Sequence, residues 1–150
     1  MASTELKSSV KDAMKEAMRA KDKPRLGTIR LIMAEIKRIE VDERTEVDDE
    51  RLLTILDKMV KQRRDSAKQY TDAGRTELAQ VEIDEMAIIQ DFLPEALTDE
   101  ELDALVKDAV SESGASSMQD MGKVMAILKP KVQGRADMGS ISGKVKKALL

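Results

Sequence analysis

Apolar side chains in this chain recur every three or four residues along almost its whole length, and no segment alternates apolar with polar. The first spacing is that of one face of an α-helix and the second that of a strand, so the pattern restricts the chain to an all-α fold. Leu6, Val10, Ala13, Met14, Ala17 and Met18 mark a first stripe, starting near Thr4. Asp22 is placed to cap a second helix with Pro24 in its first turn. Leu26, Ile29, Ile32, Met33 and Ile36 form its stripe, which is expected to end near Val41, with the polar run 42–49 as a loop. A third and longest helix starts near Asp49, carries Leu52, Ile55, Leu56, Met59, Ala67 and Tyr70, and stops at Ala73-Gly74. A fourth runs from about Thr76 to Asp91 with Leu78, Val81, Met86, Ile89 and Phe92 on its stripe. Pro94 ends it, because a residue before proline disfavours helix.

The segment DFLPEALT, residues 91–98, is the expected boundary. Beyond it, Thr98 and Glu101 form a capping box for a helix bearing Leu102, Leu105, Val106, Ala109 and Val110, stopped by Gly114. Ser117 is expected to cap a further helix with Met121, Val124, Met125 and Leu128, ended by Pro130 and Gly134. A last helix is expected from near Ser140, with Ile141, Val145, Ala148 and Leu149. The architecture is therefore an N-terminal helical domain of about four helices over residues 1–93, followed by a small three-helix domain over residues 94–150. Most of the ten methionines lie on these stripes and read as core.

Charge is segregated along the chain. Residues 118–150 hold seven basic groups against two acidic ones, net +5, whereas the first 117 residues hold 19 basic and 27 acidic groups, net −8. A basic end on an acidic body points to an anionic partner, nucleic acid foremost; a solvated lysine-rich helical surface is the plainer alternative. With one Tyr and one Phe in the whole chain, base-stacking platforms are not expected, so contacts would be to phosphates and shape.

The chain has no His and no Cys. That removes imidazole bases, thiolate nucleophiles, disulfides and zinc sites of the Cys/His type. No acidic loop of the EF-hand kind, dinucleotide fingerprint or phosphate-cradling glycine loop is present. We therefore expect no catalytic residues, no metal and no cofactor. The N-terminal segment is amphipathic and charged rather than apolar at its centre, and no stretch is long enough to span a bilayer. The expectation is a soluble, cytoplasmic protein without a membrane partner.

One charge interrupts an apolar face. At about 100° per residue from Leu52, Arg63 falls at roughly 20°, in the middle of the third helix's stripe. If helices three and four form a hairpin about Gly74, Glu82 and Glu85 flank Arg63, and it is expected to pair with one of them. A structural charge cluster is preferred here over a functional one.

The most specific stretch is SSMQDMGKVMAILKPKVQGRAD, residues 116–137. Gly122 is expected to permit a close backbone approach, Lys129-Pro130-Lys131 gathers charge at a helix end, and Gly134-Arg135-Ala136-Asp137 forms a basic turn. Together with Lys61-Gln62-Arg63-Arg64-Asp65-Ser66, Asp72-Ala73-Gly74-Arg75 and Phe92-Leu93-Pro94, it resembles the GatB/YqeY family over essentially the whole chain. These are YqeY-like proteins, whose C-terminal module is shared with the tail of the B subunit of the tRNA-dependent amidotransferase. The resemblance implies an all-helical protein whose tail contacts tRNA by shape. It makes Lys129, Lys131, Arg135, Lys144 and Lys147 candidate tRNA-backbone contacts, with Lys123 a weaker one. The Gly/Ser-rich run 138–143 departs from the leucine-bearing start usual for the last helix.

The resemblance also carries a label of carbon–nitrogen ligase activity with glutamine as amido donor, but the cradle and glutaminase that perform it are absent from these 150 residues. The expectation is a tRNA-binding accessory or adaptor protein without independent activity. The alternatives are a protein–protein adaptor without RNA and a non-catalytic part of an amidotransferase-like complex. tRNA is the candidate partner, and an aminoacyl-tRNA-related protein is a second.

Overall fold

The helical period is realised throughout the computed structural model, which describes residues 3–150 and contains no strand among them. The order is α1 (Glu5–Ala20), α2 (Lys23–Glu43), α3 (Asp49–Asp72), α4 (Thr76–Gln90), α5 (Asp99–Ser113), a 3-10 turn (Met118–Asp120), α6 (Met121–Val132) and α7 (Met138–Leu149). The chain divides into two units, Met1–Pro94 and Glu95–Leu150. Among the described residues no helix is long and apolar enough to cross a membrane.

In the first unit the caps set the helices. The Asp22 carboxylate accepts from the Arg25 N–H with Pro24 behind it, and Asp48 accepts from the Arg51 N–H. Gly74 at φ +74° turns the α3–α4 hairpin, and the Arg75 N–H donates to the Tyr70 carbonyl at 2.8 Å. The core is aliphatic: Val10, Ile29, Ile32, Ile36, Val47, Leu52, Leu56 and Ile89 are fully buried.

Three expectations in this unit are corrected. α2 runs to Glu43 rather than ending near Val41, and Arg44 in the left-handed region (φ 52°) closes it. Tertiary contacts hold that end, because the Glu40 carboxylate accepts from both the Val47 N–H and the Lys7 ammonium, each at 2.9 Å. On α4, Leu78 and Val81 are 38% and 53% exposed, not core. α4 buries Ala79 near its start and Ile89 near its end, where Arg25 of α2 pairs with Asp91 and lies over the Phe92 ring. Met18 also lies outside the core.

The second unit has its own core, in which Val124, Leu128, Val132, Ile141 and Val145 are fully buried with Leu102, Val106 and Ala109 beside them. The Thr98–Glu101 capping box is formed in both directions, and Gly114 at φ +69° closes α5. Ser117 precedes a 3-10 turn instead of capping α6, and its side chain makes no cap bond. Pro130 does not end α6, which continues to Val132. Proline so close to the end forfeits one intrahelical bond, and the burial of Val132 offsets that loss. α7 starts at Met138, two residues before the expected Ser140, because Asp137 is its N-cap and accepts from the Ser140 N–H at 3.2 Å.

Candidate nucleic-acid interface

The basic end does not form a unit of its own. Glu95–Leu150 holds eight basic and nine acidic groups, so the unit that carries the basic end is net −1 rather than a free-standing cation. α5 is acidic, opening with Asp99, Glu100 and Glu101, while α6 and α7 are basic. The unit is polarised, and the question becomes which cations are left without an intramolecular carboxylate.

Arg135 bonds to backbone and is in no ion pair among the described residues. Its Nε donates to the Glu95 carbonyl at 3.0 Å, and its own carbonyl accepts from the Leu97 N–H at 2.8 Å. The residue ties the segment before α5 to the turn after α6. Lys131 lies 3.9 Å from Glu112, and Lys123, well exposed, lies 3.9 Å from Asp120. At those distances neither pair constrains its lysine much. Lys144 donates to Asp103 at 2.7 Å, a bond that raises the Lys144 pKa. Lys129 and Lys147 are exposed and make no ion pair among the described residues.

The candidates do not share one face. At about 100° per residue, Lys123, Lys129 and Lys131 are spread around α6, whereas Lys144 and Lys147 lie roughly 60° apart on α7. Those two border a groove of about 500 Å³ between α5 and α7, floored by Val106 and Val110. Lys107 of α5 borders the same groove. Lys107 lies outside the basic run 118–150, exposed beside the α5 stripe, directly after Val106 and one turn past Asp103. Gly122 brings no backbone close: a Cβ added there meets nothing within 4 Å.

Arg63 and Glu85 are brought together across the α3–α4 hairpin. Arg63 Nε donates to Glu85 at 3.0 Å and its Nη1 donates to the Met59 carbonyl at 3.2 Å. The side chains are 14% and 27% exposed, so the pair is partly hydrated rather than sealed in the core. Glu82 is half-buried and makes no ion pair among the described residues. A second groove, about 420 Å³, lies between α2 and α3 over Ile39, Ile55 and Met59. Its rim is self-neutralised: Arg38 pairs with Glu35 and Asp42, and Arg51 pairs with Glu43. The Arg38 hydrogen bond holds the Glu35 carboxyl below its ordinary pKa.

The family model described as Yqey-like protein matches residues 7–149. Relatives carry the name "Altered inheritance of mitochondria protein 41, mitochondrial". The one from Pyrenophora tritici-repentis is 32% identical over 142 residues, covering 91% of this chain and 76% of that protein. The one from Clavispora lusitaniae is 42% identical over 100 residues, covering 65% of this chain and 58% of that protein. The one from Kluyveromyces lactis is 30% identical over 142 residues, covering 92% and 72%. The chain thus spans about three fifths to three quarters of these relatives' length. Their names overturn the expectation of a cytoplasmic protein, since each is called mitochondrial.

Proposed function

This chain belongs to the YqeY-like protein family, and on that premise we propose that it is a tRNA-binding accessory protein whose C-terminal unit contacts the tRNA backbone. The observation that carries the reading is the pair Lys144 and Lys147 on one side of α7, with Lys129 and Lys147 in no ion pair among the described residues. The resemblance of this unit to the tail of the amidotransferase B subunit supports tRNA as the source of phosphate. Arg135 donates to the Glu95 carbonyl through Nε but is in no ion pair among the described residues, so the contact set is Lys129, Lys131, Arg135, Lys144 and Lys147, with Lys123 at its margin. On this reading the chain selects and holds RNA without reacting with it, and any carbon–nitrogen ligase activity belongs to a complex. The relatives' mitochondrial names are carried over as the setting of the proposal.

The test is fluorescence binding of bulk tRNA at several salt concentrations, comparing the wild type with Lys129→Gln/Lys144→Gln/Lys147→Gln. Phosphate contacts make log K fall linearly with log salt, by about 0.7–0.9 per contact. Salt-sensitive binding that is lost in the triple variant supports the proposal. A folded wild type that ignores tRNA at low salt overturns it, and a pull-down partner retained after nuclease treatment then favours the protein-adaptor alternative.

A further inference from the structure

Resting on the tRNA reading above, we propose that the groove between α5 and α7 is the phosphate-binding seat of the C-terminal unit, with Lys107 a third cation beside Lys144 and Lys147 and Asp103 a built-in competitor for Lys144. The groove draws its rim from both helices. Asp103 and Lys107 stand one turn apart on α5, and Lys144 and Lys147 lie three residues apart on α7. Three ammonium groups face a single carboxylate, so the rim is net +2 in a unit that is net −1.

Asp103 answers only one of the three cations, Lys144. Lys107 is the one cation on α5, a helix otherwise rich in carboxylates, and it sits beside two lysines of the partner helix. Neither Lys107 nor Lys147 makes an ion pair among the described residues. Like charges that share a groove repel one another, and an anion placed between them relieves that repulsion. The floor is apolar, from Val106 and Val110. A ligand charged at its phosphates and less polar at its sugars matches ammonium groups set over such a floor, which favours a phosphodiester backbone over an acidic peptide.

Asp103 gives the seat an internal control. Its bond to Lys144 at 2.7 Å holds that ammonium toward α5. An arriving phosphate must share Lys144 with Asp103 or take it. Neutralising Asp103 therefore raises the rim charge to +3 and frees Lys144 for the ligand.

The experiment uses the full chain, with affinity for bulk tRNA measured across salt for the wild type, Lys107→Gln, Lys107→Gln/Lys147→Gln and Asp103→Asn. Amide chemical shifts are followed in parallel with tRNA, a short single-stranded RNA and polyaspartate. Lys107→Gln is expected to flatten the salt slope by about 0.7–0.9, and the double variant by about twice that. Asp103→Asn is expected to tighten binding. Amides of residues 103–111 and 144–148 should move with RNA. Wild-type slope and affinity in Lys107→Gln, or weaker binding in Asp103→Asn, overturns the proposal. If tRNA does not bind but the short RNA moves those amides, the groove stands and the tRNA reading fails. If neither RNA moves them, or only polyaspartate does, the groove proposal falls.

Discussion

Arg63 is the residue on which the hairpin register can be checked most directly. Its side chain reaches Glu85 and the Met59 carbonyl, yet Glu85 keeps more than a quarter of its surface in water. A partner left behind by substitution is rehydrated in part, so the cost falls below the roughly 3–5 kcal/mol of a sealed pair. Arg63→Met is expected to destabilise by about 1–2 kcal/mol in denaturant unfolding, between the exposed and buried limits. Glu85→Gln should be coupled to it in a double-mutant cycle, and Glu82→Gln should not be. Unchanged stability in Arg63→Met would remove the pair from the fold's energetics. The position was legible because an arginine on an apolar stripe needs a carboxylate, and a glycine turn fixes which residues can supply one. Gly122 was not legible in the same way, since nothing in its neighbours along the chain says whether the space above it is filled. The space is open, so Gly122→Ala is expected to raise stability by about 0.5–1 kcal/mol, read from the denaturation midpoint.

At the scale of elements, helix starts read well where a capping side chain stands beside the first turn, as at Asp22 and Thr98. They read poorly where two cues compete. The run Gly134–Asp137 reads as a turn and Ser140 as a helix start, yet Asp137 is the cap, accepting from the Ser140 N–H. Faces read less well than starts, because periodicity gives a stripe but not the length over which a neighbour covers it; Leu78 and Val81 show the consequence. The end of α2 depends on chain far away, through Glu40. Its hydrogen bond with the Lys7 ammonium, then that from the Val47 N–H, holds the Glu40 pKa below its ordinary value. Burial pulls the Lys7 pKa down, but the bonds to Glu40 and Glu46 outweigh it and leave it raised. A depressed carboxyl contributes stability that is present above its unfolded pKa, about 4.3, and lost as pH falls through the lower folded value. The thermal stability of the wild type should therefore fall on the acid side of that value. Glu40→Gln should lower stability near neutrality and flatten the acid limb. An acid limb unchanged in Glu40→Gln would assign the loss to other carboxylates.

Across the whole molecule, the segregation of charge seen along the chain is not a segregation between its two units. The acidic α5 belongs with the basic α6 and α7, so the C-terminal unit presents one acidic helix and two basic ones rather than a uniform field. Binding that depends on a few unpaired lysines needs those helices held in place, and what holds them is a small aliphatic core. A domain of about 60 residues buries only about 60% of its unfolded surface and is correspondingly marginal. Leu128 is fully buried at the centre of that core. Leu128→Ala is expected to cost about 2–5 kcal/mol, enough to remove most of the stability such a unit holds. Because the first unit has a separate core built on Ile29, Leu52, Leu56 and Ile89, its amides should keep their hydrogen-exchange protection in that variant. Protection should fall across α5, α6 and α7 alone, with tRNA binding lost alongside it even though every lysine remains. If protection falls in both units together, the chain unfolds as one cooperative body. If protection falls as expected while tRNA binding survives, the RNA contacts do not depend on the folded C-terminal unit.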